Sequence, residues 1–385
     1  MKKKLVRITT SSLSLDTLLS GQIRYMSEND FETIMISNDD SNIHLLKKRE
    51  KSRHIIVPMK RKISILSDII CLFKLVKIFI NEKPDIIHTH TPKAGLLGMI
   101  AAKICLIENR IHTVAGLPFV TAKGLKKVIL FNTEKITYWA SKYVLPNSHS
   151  NYKIIKQKRL CNPNKLLVIG KGSSNGVDLN RFSNKHLNVK TLNMVKETIG
   201  YKNSFKYILF VGRLVKDKGI VELINAFNSI ETKNVNLILV GTFEKNRKEE
   251  NISQEIINSI GSNPNIIHVN GSNKVEYFMN IADLFVFPSH REGFPNVLLE
   301  AGAAKLPILC SEIAGNIDII DKKNFNNLFE LDDHKIISMK IDLFFKNELI
   351  LNTENIFKKI KKNYDRKIHH QKILNFYNSY FCFRK

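Results

Sequence analysis

Cysteine is scarce in this chain and has no paired pattern. Five occur in 385 residues (Cys71, Cys105, Cys161, Cys310 and Cys382), an odd number, widely scattered, with no Cys-x-x-Cys. That argues against a disulfide framework or a thiolate zinc site and for a reducing compartment. Long apolar runs are also missing. A bilayer span needs about eighteen or more apolar residues in a row, and the best candidate, 63–80, is interrupted by Asp68, Lys74 and Lys77. The opening MKKKLVRITT has the basic start of an export signal, but polar SSLSLDTLLSGQ follows, so Lys4 to Thr9 reads as a first strand. Acidic charge is in deficit: 35 Asp+Glu stand against 60 Lys+Arg, a net charge of +25.

What the chain does have is an apolar fraction of 43%, enough for large cores and against disorder. The charge is uneven. Residues 1–175 hold 30 Lys+Arg and 12 Asp+Glu, a net of +18, and the remainder carries +7. A basic half seeks an acidic surface: nucleic acid, anionic lipid or a phosphorylated ligand. A generally basic proteome is the plainer explanation, and composition does not choose among them.

Short apolar runs alternate with helix-length segments. The first half offers strands at Val6–Thr9, Thr33–Ser37, Ile55–Val57, Asp85–His88, Arg110–Val114, Tyr143–Pro146 and Leu166–Ile169. The second half offers Tyr207–Val211, Leu237–Val240, Ile266–Val269, Leu284–Phe287 and Ile308–Cys310. Helical patterns fill gaps such as 63–81, 94–105 and 220–229. Near-continuous apolar strands alternating with helices mean parallel sheets covered on both faces. Two such series predict an α/β chain of two doubly wound, Rossmann-like domains. The glycine-rich Gly170-Lys171-Gly172-Ser173-Ser174-Asn175-Gly176 reads as the hinge. The expected domains are 1–175, 176–362 and a terminal helix, 363–385, with aromatics at Phe376, Tyr377, Tyr380 and Phe381. From Asp178 to Lys206 the sequence is polar and weakly patterned.

Parallel sheets bind ligands beyond the carboxyl ends of their strands. Two constellations stand there. In the first, Gly212-Arg213-Leu214-Val215-Lys216-Asp217-Lys218-Gly219 follows a buried strand, with a helix starting at about Lys218. Two cations beside a helix N-terminus suit a diphosphate, although a solvated loop would look the same. In the second, Ser289-His290-Arg291-Glu292-Gly293-Phe294-Pro295-Asn296-Val297-Leu298-Leu299-Glu300-Ala301 follows another strand. Glu292 lies in the loop, Pro295 or Asn296 opens a helix, and Glu300 lies inside it. A carboxylate at a helix entrance can bind sugar hydroxyls, one a turn further in can hold a ribose, and free amides near Asn296 and Val297 can hold phosphate.

The strings HREGFPNVLLEA and VGRLVKDKG resemble the retaining glycosyltransferases of the GT-B family 4. HTHTPKAGLLGMIAAK (88–103) and IGKGSSNGVDLNRF (169–182) resemble the branch that makes capsule, O-antigen and protein-glycan precursors. The resemblance covers residues from about 5 to 325. It implies a GT-B fold whose last helix returns to the first domain. The first domain would face acceptor and membrane, and the second would bind the nucleotide-sugar. It implies that Arg213 and Lys218 bind the donor diphosphate and stabilise it as it leaves. Glu292 would sit beside the donor sugar, with Gly212, Gly293, Phe294, Pro295, Asn296 and Val297 lining the donor, and Glu300 would hold the ribose. Candidates for contact with donor sugar or acceptor are His112, His90 and Lys93. No Asp-x-Asp triplet, the common metal-holding motif of glycosyltransferases, occurs in the sequence, so neither metal nor cofactor is expected and the two cations take its role. Retention in this family proceeds by same-face attack, without the acid and base carboxylates of glycoside hydrolases. The chain departs from its relatives in the loop Thr9–Ser14, which lacks their Gly-Gly, and at Ala115, where they place His or Arg. His112 reads equally as a donor contact or a satisfied strand-end histidine. His88 and His90 lack a third zinc ligand and read as a polar cleft wall.

The resemblance further implies a UDP-sugar donor, an N-acetylated hexosamine or deoxyhexosamine, and an undecaprenyl-diphosphate-linked acceptor. It places the protein in the cytoplasm, on the inner face of the plasma membrane. Lys60-Arg61-Lys62 leading into 63–80, and 123–131, are basic and amphipathic, as membrane-surface helices are. The same pattern also suits helices whose apolar side packs on a sheet. Two alternatives remain. One is a sugar-nucleotide epimerase of the same fold, which the paired cations and glutamates disfavour. The other is a nucleic-acid-binding protein, which lacks aromatic platforms and any recognition motif here.

Overall fold

The structure is a computed structural model that describes residues 2–39, 43–60, 62, 64–244, 251–331 and 333–381. Arg61, Ile63 and Cys382, and the side chains of Tyr380 and Phe381, lie outside the described residues. The chain divides into two compact units: 1–175 together with 367–385, and 176–366.

The first unit holds β1 (Lys3–Ser11), β2 (Phe31–Asn38), β3 (Arg53–Ile56), β4 (Ile86–Thr89), β5 (Asn109–Val114) and β6 (Tyr143–Pro146). They form one parallel sheet in the order β3-β2-β1-β4-β5-β6. Its helices are α1 (Ser12–Leu19), α2 (Gln22–Ser27), α3 (Ile43–Glu50), α4 (Ile65–Glu82), α5 (Pro92–Ile104), α6 (Gly124–Ala140) and α7 (His149–Gln157). Side chains alternate across a strand, so β1 serves two cores. Val6 and Ile8 pack with Cys71, Leu75 and Phe79 of α4 and the alanines of α5. Leu5 packs on the other face with Ile373, Leu374 and Tyr377.

The second unit holds α8 (Leu179–Phe182), α9 (Val189–Thr198), β7 (Lys206–Val211), α10 (Ile220–Asn228), β8 (Val235–Val240), α11 (Gln254–Ser262), β9 (Ile266–Val269), α12 (Val275–Ile281) and β10 (Leu284–Phe287). It continues through α13 (Asn296–Ala303), β11 (Ile308–Ser311), α14 (Ala314–Ile320), β12 (Leu328–Phe329), α15 (His334–Phe345) and α16 (Thr353–Tyr364). Its sheet runs β12-β11-β10-β7-β8-β9, again parallel. Renumbered from its own first strand, that is the same order as in the first unit. The last helix, α17 (Arg366–Phe381), begins where the chain re-enters the first unit.

Several sequence expectations change. Residues 166–169 form no strand: Leu166 makes one isolated bridge to Val144. Thr9 to Ser11 are not a loop but the end of β1, and Ser11 caps α1 by accepting from the Ser14 amide. The polar stretch after Asp178 contains α8 and α9, started by the side chains of Asp178 and Asn188 on first-turn amides. The terminal helix starts at Arg366 and not at 363, because α16 runs on to Tyr364. The helix expected at Lys218 is a 3₁₀ turn, 216–218, with α10 beginning at Ile220.

Candidate active site

In the second unit β7 and β10 are hydrogen-bonded neighbours, although three helices and two strands separate them in sequence. This is where the strand order reverses, the position at which open α/β sheets bind ligands. The loop after β7 (212–219) and the loop after β10 (288–295) therefore lie side by side. Gly219 makes this possible. It has φ of +71°, and a Cβ there would lie 1.9 Å from the Pro288 carbonyl oxygen.

Asp217 laces the loops together. Its carbonyl accepts from the His290 amide at 2.9 Å, and its carboxylate accepts from Arg291 Nη2 at 2.7 Å. The Ser289 hydroxyl stands 2.9 Å from Glu292 Oε1 and 3.1 Å from the Asp217 carbonyl. The Ser289 carbonyl in turn accepts from the Ser311 hydroxyl at 2.5 Å, and Asn316 Nδ2 donates to the Ser311 carbonyl at 2.9 Å. His290 Nε2 lies 2.9 Å from Glu222 Oε1 at the start of α10. That hydrogen bond raises the His290 pKa, against the opposing effect of partial burial.

On this platform Lys218 Nζ contacts Glu292 Oε1 directly. Arg213 Nη1 pairs with Glu244 Oε2 at 3.5 Å. Both cations assigned to a diphosphate thus stand at the strand ends, each beside a carboxylate. α13 starts immediately downstream with Pro295 at its N-cap. Its first-turn amides, Asn296 and Val297, have no intrahelical acceptor and favour an anion. Phe294 is buried against Tyr364, ring centres 5.4 Å apart, and so anchors the loop rather than lining an open surface.

Glu300 lies further along α13, and α8 packs against both α13 and α12. Arg181 of α8 donates to Glu276 Oε2 (Nη2 at 2.7 Å, Nε at 3.0 Å) and to the Asn273 carbonyl at 2.9 Å. Arg366 stands 3.6 Å from Asp178. The Glu300 carboxyl itself makes no hydrogen bond or ion pair with any described residue. Burial raises its pKa. The guanidiniums of Arg181 and Arg366 pull it back, and Glu276 pushes it up again. A half-buried carboxylate with open acceptor positions can take the hydroxyls of a polyol.

The candidates in the first unit are enclosed. His112 is 2% exposed, its Nδ1 is 2.8 Å from the Thr89 hydroxyl, and burial lowers its pKa to about 3. His90 is buried with neither ring nitrogen hydrogen-bonded. It stacks on His88 at 4.2 Å and lines a cavity of about 20 Å³ with Asn147, Ser174 and His369. His88 is saturated by the hydroxyls of Tyr377 (2.6 Å) and Thr113 (2.7 Å). The polar wall expected at His88 and His90 is therefore an internal network beneath α17. Lys93 is engaged by Asp68 at 2.7 Å. No group of three or more His, Cys, Asp or Glu among the described residues is placed to hold a metal ion.

Sequence reasoning missed Asp217, Ser289, Glu222, Ser311, Asn316, Arg181 and Glu276. Asp217 and Ser289 stood inside the two strings and could have been found there. Arg181 stood inside the string 169–182, but its partner Glu276 is 95 positions away. Glu222 is 68 positions from His290, Ser311 and Asn316 come from the next strand and the helix after it, and no local spacing announces these pairings.

Comparison with known proteins bears on this geometry. Residues 19–181 match the family model "Glycosyltransferase Family 4", and residues 193–364 match "Glycosyl transferases group 1". The chain is 33% identical over 386 residues to the capsular polysaccharide biosynthesis glycosyltransferase CapM of Staphylococcus aureus, covering 98% of this chain and 97% of that one. It is 28% identical to the UDP-Gal:alpha-D-GlcNAc-diphosphoundecaprenol alpha-1,3-galactosyltransferase of Escherichia coli, over 96% and 94% of the two chains. Among solved structures it resembles Anabaena Alr3699/HepE in complex with UDP and glucose, with a TM-score of 0.80 at 16% identity over 98% and 100% of the chains.

Proposed function

This chain belongs to the family 4, group 1 glycosyltransferases of GT-B fold, in their capsule and O-antigen branch, and from that premise we propose a specific reaction. It transfers a sugar from a UDP donor to an undecaprenyl-diphosphate-linked saccharide, with retention at the anomeric carbon and without a metal. The donor is an N-acetylated hexosamine or deoxyhexosamine. Supporting the donor and acceptor classes are the UDP-galactose and diphosphoundecaprenol named for the Escherichia coli relative and the UDP held by the Anabaena fold relative.

The observation that carries the reading is the Lys218–Glu292 contact at the β7/β10 reversal. Before the donor binds, Glu292 neutralises the cation. A diphosphate entering beside α13 replaces that carboxylate at Lys218 and takes up Arg213 and the Asn296 and Val297 amides. Glu292 is then released to the sugar hydroxyls, and Glu300 takes the ribose. As the bond from C1 to the phosphate oxygen breaks, negative charge grows on the diphosphate, and cations fixed there lower the barrier. The acceptor hydroxyl attacks the same face of C1, and its proton passes to the departing phosphate. Lys218 and Arg213 do the work a divalent ion does elsewhere. The first unit supplies the acceptor side, through surfaces other than the enclosed His112 and His90 and the Asp68-bound Lys93, and lies peripherally on the inner membrane surface.

The test is release of UDP from a panel of UDP-sugars with polyprenyl-diphosphate-linked acceptors, with EDTA present. Turnover that needs one donor and one lipid acceptor, survives EDTA and collapses in Glu300→Ala is expected, with the α-linkage of the donor kept in the product. Dependence on added metal, or an inverted product, would overturn those parts of the reading.

A further inference from the structure

α5 packs against both α4 and α6, so the three helices form one layer on a face of the first unit's sheet. α4 turns Cys71, Leu75 and Phe79 to the core. The opposite side of the same helix is apolar too. Leu66 is 79% exposed and Phe73 69%, with Ile80 exposed at the far end. α6 repeats the pattern: Leu125 is 75% exposed and Trp139, fourteen residues on, 60%. An 18-residue helix is about 27 Å long, so the apolar stripe runs the length of the layer and not only its first turns. A patch of this extent marks an interaction surface.

Its charge says what covers it. Exposed lysines flank both stripes: Lys74 and Lys77 on α4, Lys127 and Lys135 on α6. The acids of the three helices are withdrawn. Asp68 is paired with Lys93, Glu82 with Lys4 and Arg53, and Glu134 is buried. Cations beside exposed apolar side chains, with no exposed carboxylate among them, complement an anionic lipid surface. No described helix is long and apolar enough to cross a membrane.

We propose that the outer face of the α4–α5–α6 layer lies flat on an anionic bilayer, with Trp139 and Ile80 in the interface together with Leu66 and Leu125. This rests on the membrane association proposed above and adds its orientation. The competing geometry is end-on, with only the first turns of α4 and α6 touching lipid.

Trp139 is the only tryptophan in the chain, so its fluorescence decides between them. The full-length protein would be titrated with phosphatidylglycerol/phosphatidylcholine vesicles and with pure phosphatidylcholine vesicles. Flat docking requires co-sedimentation with the anionic vesicles, a blue shift of Trp139 emission and quenching by brominated acyl chains. It also requires at least tenfold weaker binding of the Ile80→Asp/Ile136→Asp double variant, whose substituted side chains are solvent-exposed. Binding with unshifted, unquenched Trp139 and an unaffected double variant would establish end-on contact and overturn the proposal. Failure to bind any vesicle would overturn it together with the membrane reading, while leaving sugar transfer, measured separately, untouched.

Discussion

Lys218 and Glu292 are where residue chemistry and reaction meet. A lysine held by a carboxylate is a point charge ready for exchange, and its worth appears only when charge develops on the leaving group. Lys218→Ala should therefore lower kcat by about 10²–10³, the usual scale for losing one such donor, with a smaller change in donor KM. A steady-state comparison in which KM rises and kcat holds would make Lys218 a binding residue only. Lys218, Glu292 and Glu300 were legible in sequence because their spacing follows strand ends and a helix start. Burial was not. Lys93 and His90 follow a strand just as the second-unit residues do, yet Asp68 claims one and α17 covers the other. Both partners come from distant parts of the chain, 25 residues away for Asp68 and beyond the whole second unit for α17.

At the scale of elements, α17 is bound to the sheet by a polar pin. Arg7, on the same face of β1 as Leu5, is fully buried, with Nη1 2.7 Å from the Tyr377 hydroxyl and Nη2 on Gln22. The same hydroxyl lies 2.6 Å from His88 Nδ1. A buried guanidinium without a carboxylate partner depends on each such bond. Burial pushes the Tyr377 phenol up to about 12 although Arg7 opposes this, so it stays a neutral bridge. Tyr377→Phe should cost about 1–3 kcal/mol by stranding Arg7. In Arg7→Met/Tyr377→Phe the loss should be well below the sum of the single losses. Equal and additive losses in a denaturant double-mutant cycle would show that the pin is not a unit. None of this was visible in alternation. A strand pattern reveals that β1 is buried on both faces, but the arginine in it looks like any interruption until α17 is placed. Alternation also suggested a strand at 166–169, where the residues are apolar but only one bridge forms, and it overlooked α8 and α9, whose starts depend on Asp178 and Asn188 caps rather than on apolar period.

For the whole molecule, buried histidine is concentrated in one unit. His88, His90, His112 and His369 all belong to the first, and burial lowers each of their pKa values, to about 4 for His369 and about 3 for His112. An unfolded histidine titrates near 6.5. Below that pH the unfolded chain binds protons that the folded unit refuses, so stability falls as pH drops, and goes on falling until the folded pKa is reached. His369 alone accounts for about 3 kcal/mol over that window. Glu134 works the other way: burial raises its pKa to about 7, so acid relieves a buried charge and returns a similar amount. Four histidines against one glutamate leave the first unit acid-sensitive. In the second unit His290 is raised by Glu222, and its contribution is complete below 6.5 and lost as pH rises through the raised value. Glu300, raised by burial, likewise gains from acid. Between pH 7.5 and 5, hydrogen exchange followed by mass spectrometry should show peptides of residues 1–175 and of α17 losing protection while those of the second unit hold or gain it. His369→Gln should flatten that slope in the first unit without altering the second. Uniform loss across both units would mean that they unfold as one cooperative body, in which local proton linkage is shared; earlier loss from the second would mean that its carboxylates, and not the buried histidines, govern acid stability.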